Sequence, residues 1–308
     1  MVAAGHVAGL AVAQGPAVKV VRVKDSRAKG DNAYREDLVA QMVNRSVEAL
    51  TGKTGADAWR TFFKPDDVVG VKVNCLFGVG ASTHPEVTKA IVQGIISAGV
   101  KPSNIIVWDR TNADLIKVGY EVNTTGPGPL CYGTDGDYEP QPTRNGTFHG
   151  RLSKILTRKI TALVNVPILK DHRIAGMTCA LKNHYGSFDN PGAHHKNHCN
   201  PQIADVNAVP AIKDKTRLVI CDCIRPLAHG GPGLRAENLW EQSEILASVD
   251  PVALDTICLQ ILEARRKAAG FRSLAEEGRY PAYIASAAER GVGTNDMAKI
   301  DVVQITTG

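Results

Sequence analysis

Residues 67–74 read DVVGVKVN and residues 104–109 read NIIVWD. The first is a β-branched run and the second is apolar up to its terminal aspartate, and both read as strands buried on both faces. Between them lie the loop LFGVGAST and a helix that opens at His84-Pro85. Proline suits the first helical turn because its missing N–H would be unpaired there anyway. Working outward, residues 18–25 (VKVVRVKD) alternate like a half-buried strand, and Leu38, Met42, Val43, Val47 and Leu50 fall at helical spacing over 36–51. Downstream, strands are expected at 160–166, 217–223, 243–249 and 300–306. Helices are expected at 113–120, near 151–157, at 201–212, from Pro251 to about Ala268, and at 281–290. Residues 122–150 are dense in Gly, Pro and Asp and read as a long insertion. The pattern predicts an α/β fold with a mainly parallel sheet and helices on both faces. It forms a single domain over 18–308 that follows a leader or signal-peptide remnant at 1–17.

The chain's 308 residues can bury a substantial core, and its formal net charge of +5 is spread without a basic tract. Nucleic acid is therefore not an expected partner. No run of 18 apolar residues occurs, so no transmembrane helix is expected. No Walker sequence or strand-linked GxGxxG occurs, so no nucleotide is expected. The seven cysteines are an odd number in a chain too large to need disulfide staples. Cys221 and Cys223 flank Asp222 too closely for CxxC chemistry and read as buried thiols in a strand.

In a parallel sheet, ligands sit beyond the carboxyl ends of the strands. Polar residues gather there in this chain: Asn74, Asp109, Lys170 with His172, Asp222 and Asp250 each follow a strand. Five of the nine histidines fall between His172 and His198. Within that stretch His194, His195, His198 and Cys199 form two i,i+4 pairs, which on a helix could each grip one ion. Imidazole with thiolate suits iron, zinc or copper. A solvated loop and metal-free substrate contact remain alternatives, because Asn190-Pro191-Gly192 and Asn200-Pro201 bracket the cluster. Lys170, His172, Lys182 and His184 are the candidate catalytic residues, since lysines near a histidine lower its pKa and keep it neutral. Lys72, Asn74 and Asn183 are candidate cofactor-binding residues. A lysine on an apolar strand needs a partner, and Asp109 or Asp222 could give Lys72 a structural ion pair instead. Asp250 reads first as a helix N-cap, and His84 as a residue fixed at a helix N-terminus.

The segments VGVKVN, STHPEVTKAIV, VNVPILKDHRIAGMTCALKNHYG and EILASVDPVALDTICLQIL, spanning roughly 66–262, resemble the domain-of-unknown-function family 362 of bacteria and archaea. The resemblance implies an association with iron–sulfur proteins, a fused ferredoxin-like module in many members, and export in others. This chain has no CxxCxxC run, so the module is absent and an iron–sulfur cluster is not expected. Ala11-Val12-Ala13 before Gln14 fits a signal-peptidase site, although a basic n-region is missing. The expected location is the periplasm or cell envelope, with the cytoplasm as the alternative.

Together these features point to a metal-dependent, redox enzyme, an oxidoreductase acting on a small anionic substrate. A redox partner protein and a homo-oligomer are both compatible with the sequence. The rival readings are a non-catalytic metal- or cofactor-binding partner of an electron-transfer system, and a structural or assembly protein. Chemistry like that of nickel-pincer racemases is a further alternative that rests on residue type alone.

Overall fold

The computed structural model describes residues 17–30 and 34–308. The cleavage-site reading at Ala11-Val12-Ala13 lies outside them. In chain order, the first half contains β1 (Val18–Lys24), α1 (Glu36–Thr51), α2 (Gly55–Arg60), β2 (Val69–Lys72), α3 (Pro85–Ser97), β3 (Ile105–Trp108) and α4 (Asn112–Val118). Next come β4 (Leu130–Cys131), the hairpin β5 (Thr143–Asn145) and β6 (Phe148–Gly150), β7 (Ala162–Asn165), β8 (Ile168–His172), β9 (Gly176–Thr178) and α5 (Ala180–Asn183). The chain closes with α6 (Gln202–Asn207), α7 (Pro210–Lys213), β10 (Thr216–Leu227), β11 (Glu244–Ser248), α8 (Pro251–Ala268), α9 (Tyr283–Glu289) and β12 (Ile300–Thr306).

Ten strands form one mixed, mostly parallel sheet in the order β12-β1-β11-β10-β7-β2-β3-β4, with β8 branching from β10 and β9 from β8. The antiparallel pairs are those of β11 with β1 and β10, and the short return of β9 on β8. Strand side chains alternate between two cores. Ile105 and Val107 pack with Val39, Met42 and Ile91 from α1 and α3, whereas Ile106 and Trp108 join the core that holds Leu254, Leu262 and Tyr283 from α8 and α9. Each fully buried side chain of this size contributes about 1.5–3 kcal/mol, so both faces are held by burial and the sheet ends are left for polar groups.

Several boundaries differ from the sequence pattern. The expected helix over 201–212 is two short helices broken at Val209-Pro210, because proline there cannot donate the next helical bond. The region near 151–157 gives only a single π-helical turn at Ile155–Lys159. Lys170 to His172 lie within β8, which Pro167 separates from β7. The insertion carries β4 and the small β5–β6 hairpin.

Candidate functional site

The carboxyl ends of β2 and β8, the end of α5 and the loop after β10 enclose a cavity of about 660 Å³. Asn74, Lys170, His172, Lys182, Asn183 and His195 line it, so six of the sequence-derived candidates meet there. Strand ends deliver them for a geometric reason: along β8 alternate residues share a face, which puts Lys170 and His172 on the cavity side.

The site amides are cross-linked rather than free to point. Asn183 Nδ2 donates to Lys72 O at 3.1 Å and to Asn165 Oδ1 at 2.8 Å, and its Oδ1 accepts from Asn74 Nδ2 at 3.1 Å. Asn74 Oδ1 in turn accepts from Lys170 Nζ at 2.9 Å. Lys72 does not line the cavity. Its Nζ is buried beneath it and donates to Asp109 Oδ1 at 2.7 Å, to Val73 O at 2.6 Å and to Asn183 Oδ1 at 3.4 Å. Asp109 is thus its partner, while Asp222 holds His84 by the ring Nδ1 at 2.6 Å and by the backbone N–H at 2.8 Å. Burial alone would lower the His84 pKa, but the Asp222 carboxylate outweighs it and raises it.

The two site lysines differ from Lys72. Lys170 Nζ donates to Ala81 O at 2.6 Å and to Asn74 Oδ1, and has no carboxylate within salt-bridge distance among the described residues. Burial, reinforced by the nearby Lys182 charge, lowers its pKa to about 7. Lys182 Nζ lies 4.2 Å from the centre of the Tyr185 ring and 3.4 Å from His195 Nε2, and burial lowers its pKa to about 8.

The histidine tautomers follow from their partners. His172 Nδ1 faces the N–H groups of Ile174 (3.2 Å) and Ala175 (3.0 Å), so it carries a lone pair and the ring proton sits on Nε2. Burial and then the Lys182 charge push its pKa down, which keeps the ring neutral. His195 is the opposite case. Its Nδ1 faces Pro191 O at 2.9 Å and must donate, which leaves the Nε2 lone pair toward Lys182. The two rings stack 5.5 Å apart, one offering a donor and the other an acceptor.

The remaining candidates are placed elsewhere. His184 is buried between Ser187 Oγ (3.1 Å) and Asn165 Nδ2 (3.4 Å), with its pKa lowered to about 3 by burial and the Lys72 charge, and does not line the cavity. The 194–199 segment is not one helix: it is two short 3-10 turns with Asn197 and His198 at positive φ. As a result His194 packs on Phe148 and Phe188, and His198 Nδ1 bonds Ile174 O at 2.9 Å. Cys199 is buried, and no three of His194, His195, His198 and Cys199 gather as a ligand group.

A ligand group does form elsewhere, from Cys221, which the sequence suggested was a buried thiol, together with Cys179 and Cys258. The Sγ atoms of Cys179, Cys221 and Cys258 lie within 4.8 Å of one another, Cys179 to Cys221 at 3.5 Å and Cys258 to Cys221 at 4.0 Å. A three-coordinate metal with metal–sulfur bonds of about 2.3 Å needs sulfurs about 4 Å apart, so this group can bind a transition-metal ion. Burial pushes the Cys179 and Cys221 thiols well up. Cys258, which burial alone would also push up, is pulled down by its neighbours Cys179 and Cys221. None of the three lines the cavity.

Two features of the site were not singled out from the sequence. Arg110, Arg173 and Arg235 line the cavity alongside the lysines. The loop Gly230-Gly231-Pro232-Gly233 forms part of the wall, and a Cβ on Gly231 would stand 2.0 Å from Asp171 O, so glycine alone allows that approach. The density of glycine in AHGGPGLRAEN was the available signal.

Residues 69–260 match the family model described as Domain of unknown function (DUF362), and the chain belongs to that family. Two of the segments that carry the resemblance meet in space. Asp255, the last residue of DPVALD, accepts from Ala180 N at 2.7 Å and Leu181 N at 3.1 Å, so its carboxylate caps the ALKN turn. No curated protein matches. Among solved structures, the chain is similar to the crystal structure of a protein from Thermotoga maritima, Northeast Structural Genomics Consortium target VR152. The TM-score is 0.44 and the identity 11%, with 79% of this chain and 60% of that one covered. The chain therefore spans less than two thirds of that protein's length.

Proposed function

We propose that the cavity binds a small anionic substrate and that the protein is an enzyme acting on it. One observation carries this reading. Arg110, Lys170, Arg173, Lys182 and Arg235 line the cavity against a single acid, Asp109, and that carboxylate is already engaged by Lys72 and by the Cys75 N–H at 2.6 Å. Lys170 and Lys182 are buried without a carboxylate partner, Arg173 and Arg235 are exposed, and Arg110 reaches Asp114 at 3.9 Å, so the lining carries an excess of positive charge that favours an anion. In this reading Lys182 holds the anion as a point charge, His172 Nε2 donates to it, and the His195 Nε2 lone pair serves as base.

The metal and redox parts of the proposal rest on the three thiols. Cys179, Cys221 and Cys258 would hold a transition-metal ion that a thiolate set favours. Because the thiols lie outside the cavity lining, that ion would not touch the substrate. The same observation favours, as the second reading, a non-catalytic metal-binding partner of an electron-transfer system.

The test is thermal unfolding of the full chain in the presence of phosphate, lactate or malate, because a ligand that binds only the folded state raises Tm. Stabilisation of the parent protein by at least one of these, absent in Lys182→Met, is expected. No response from the parent to any of them would end the anion reading. Elemental analysis of the parent beside a Cys179→Ala, Cys258→Ala double variant tests the metal, and equal metal content in both would remove it from the thiols.

A further inference from the structure

Lys72 and Lys170 are both buried beside the same asparagine network, yet their amines are partnered for different protonation states. An ammonium has three N–H donors and a neutral amine has two with one lone pair. Lys72 has three acceptors within reach, Asp109 Oδ1, Val73 O and Asn183 Oδ1, which together satisfy an ammonium. Lys170 has two, Asn74 Oδ1 and Ala81 O, both neutral, which together satisfy an amine. The remaining tetrahedral position of its nitrogen is bordered by the cavity and by the Phe77 ring, 5.1 Å away and outside hydrogen-bonding distance. A neutral amine at Lys170 would direct its lone pair there, toward the cavity.

We propose that Lys170 is a nucleophilic amine that condenses with the carbonyl carbon of a small oxo acid, an aldehyde or ketone carrying a carboxylate. The proposal rests on the anion-binding reading of the cavity, since the Lys182 ammonium is the group that would seat the carboxylate beside Lys170. A free amine in a desolvated pocket is the standard form of a Schiff-base lysine. In the step itself, the Lys170 lone pair forms a C–N bond as the carbonyl π bond opens onto oxygen. Both amine hydrogens then leave with that oxygen as one water, giving a neutral imine that takes one proton from solvent. No oxidant or further reactant enters. Burial of Lys170, which brings its pKa to about 7, makes the attacking form available at neutral pH.

The experiment uses the full chain with pyruvate or 2-oxoglutarate as probe and lactate as the control that lacks the ketone. Binding is measured by calorimetry, and borohydride reduction followed by peptide mapping reads the covalent step. The expected result is one reduced adduct, located on the peptide that carries Lys170. It should be absent with lactate, absent in Lys170→Met and Lys170→Arg, and should increase as pH rises through about 7. Mapping on the parent protein does not depend on either variant folding. If the oxo acid binds and Lys170 is unmodified, the imine is overturned while the anion site stands. If pyruvate, 2-oxoglutarate and lactate all fail to bind, the imine is overturned, and the anion site falls with it when phosphate and malate also leave the parent's Tm unchanged. Adducts spread over exposed lysines, equal in native and unfolded protein, would also overturn the proposal.

Discussion

The two faces of β8 bury charge in opposite ways. Asp171 points away from the cavity, where its Oδ1 meets Arg279 Nη1 at 2.6 Å and Arg266 Nη1 at 3.2 Å, and its Oδ2 accepts from Gly231 N at 2.9 Å. Glu277 completes that network, with Arg266 Nη2 at 2.7 Å from its Oε1 and Arg279 on its other oxygen, so two acids balance two arginines. On the opposite face Lys170 and His172 look into the cavity with no carboxylate partner. A fold that satisfies charge this fully on one side of a five-residue strand can do so on the other. The imbalance on the cavity side is the feature on which the anion proposal rests.

The sharpest way to break the comparison is Asp171→Ala. Leaving Arg266 and Arg279 without their carboxylate should cost about 3–5 kcal/mol, the usual cost of stranding a buried charge, measured by urea unfolding. A loss no greater than that of the cavity variants would erase the distinction between the faces. Gly186→Ala comes next. Its Cβ would stand 2.5 Å from Asp109 Oδ1 and 2.7 Å from Lys72 Nζ, so about 1–3 kcal/mol should be lost through overpacking. This would test whether the glycine that closes the ALKN block is there to admit the ion pair.

Lys170 gives a signed pH test. Its folded pKa of about 7 lies below the ordinary 10.5, so between those values the unfolded chain binds a proton that the folded chain does not. Stability should therefore rise as pH climbs from 7 toward 10.5, and the penalty is fully present below 7. The stability difference between the parent protein and Lys170→Met should follow that window, with the variant at least as stable as the parent at pH 7. A pH-independent difference would show that Lys170 titrates normally. The smallest stability effect is expected for Lys182→Met, within about 1 kcal/mol by thermal unfolding, accompanied by loss of the anion response. A large destabilisation with anion binding kept would move Lys182 to the structural side of the comparison.

Strand periodicity made the sheet legible, because runs such as VGVKVN and IIVW must be covered on both faces and the helices between them supply the cover. The rule that ligands lie at strand ends pointed to Asn74, Lys170 and His172, and the ALKN segment added Lys182 and Asn183; all five line the cavity. The histidine-rich 194–199 segment was misleading in detail, since i,i+4 spacing implies a shared face only on a helix, and Asn197 and His198 break the helical path. His184 and Lys72 could not be separated from the cavity residues by spacing, since Lys72 stands two residues from Asn74 and His184 two from Lys182. The three-thiol group was invisible for another reason: Cys179, Cys221 and Cys258 come from α5's approach, β10 and α8, and nothing in their spacing reports that these elements converge.

The bond from Asp255 to the ALKN turn ties the cavity wall to a helix that begins about seventy residues later in the chain. Ala180 and Leu181 cannot find their carboxylate acceptor until α8 has docked, so a nascent chain that ends before α8 would carry the lysines and asparagines without a set geometry for them. Their amide protons become a clock for the whole assembly. Hydrogen exchange at Ala180 and Leu181 should proceed only through global unfolding, at the same free energy as the most protected amides of the central strands.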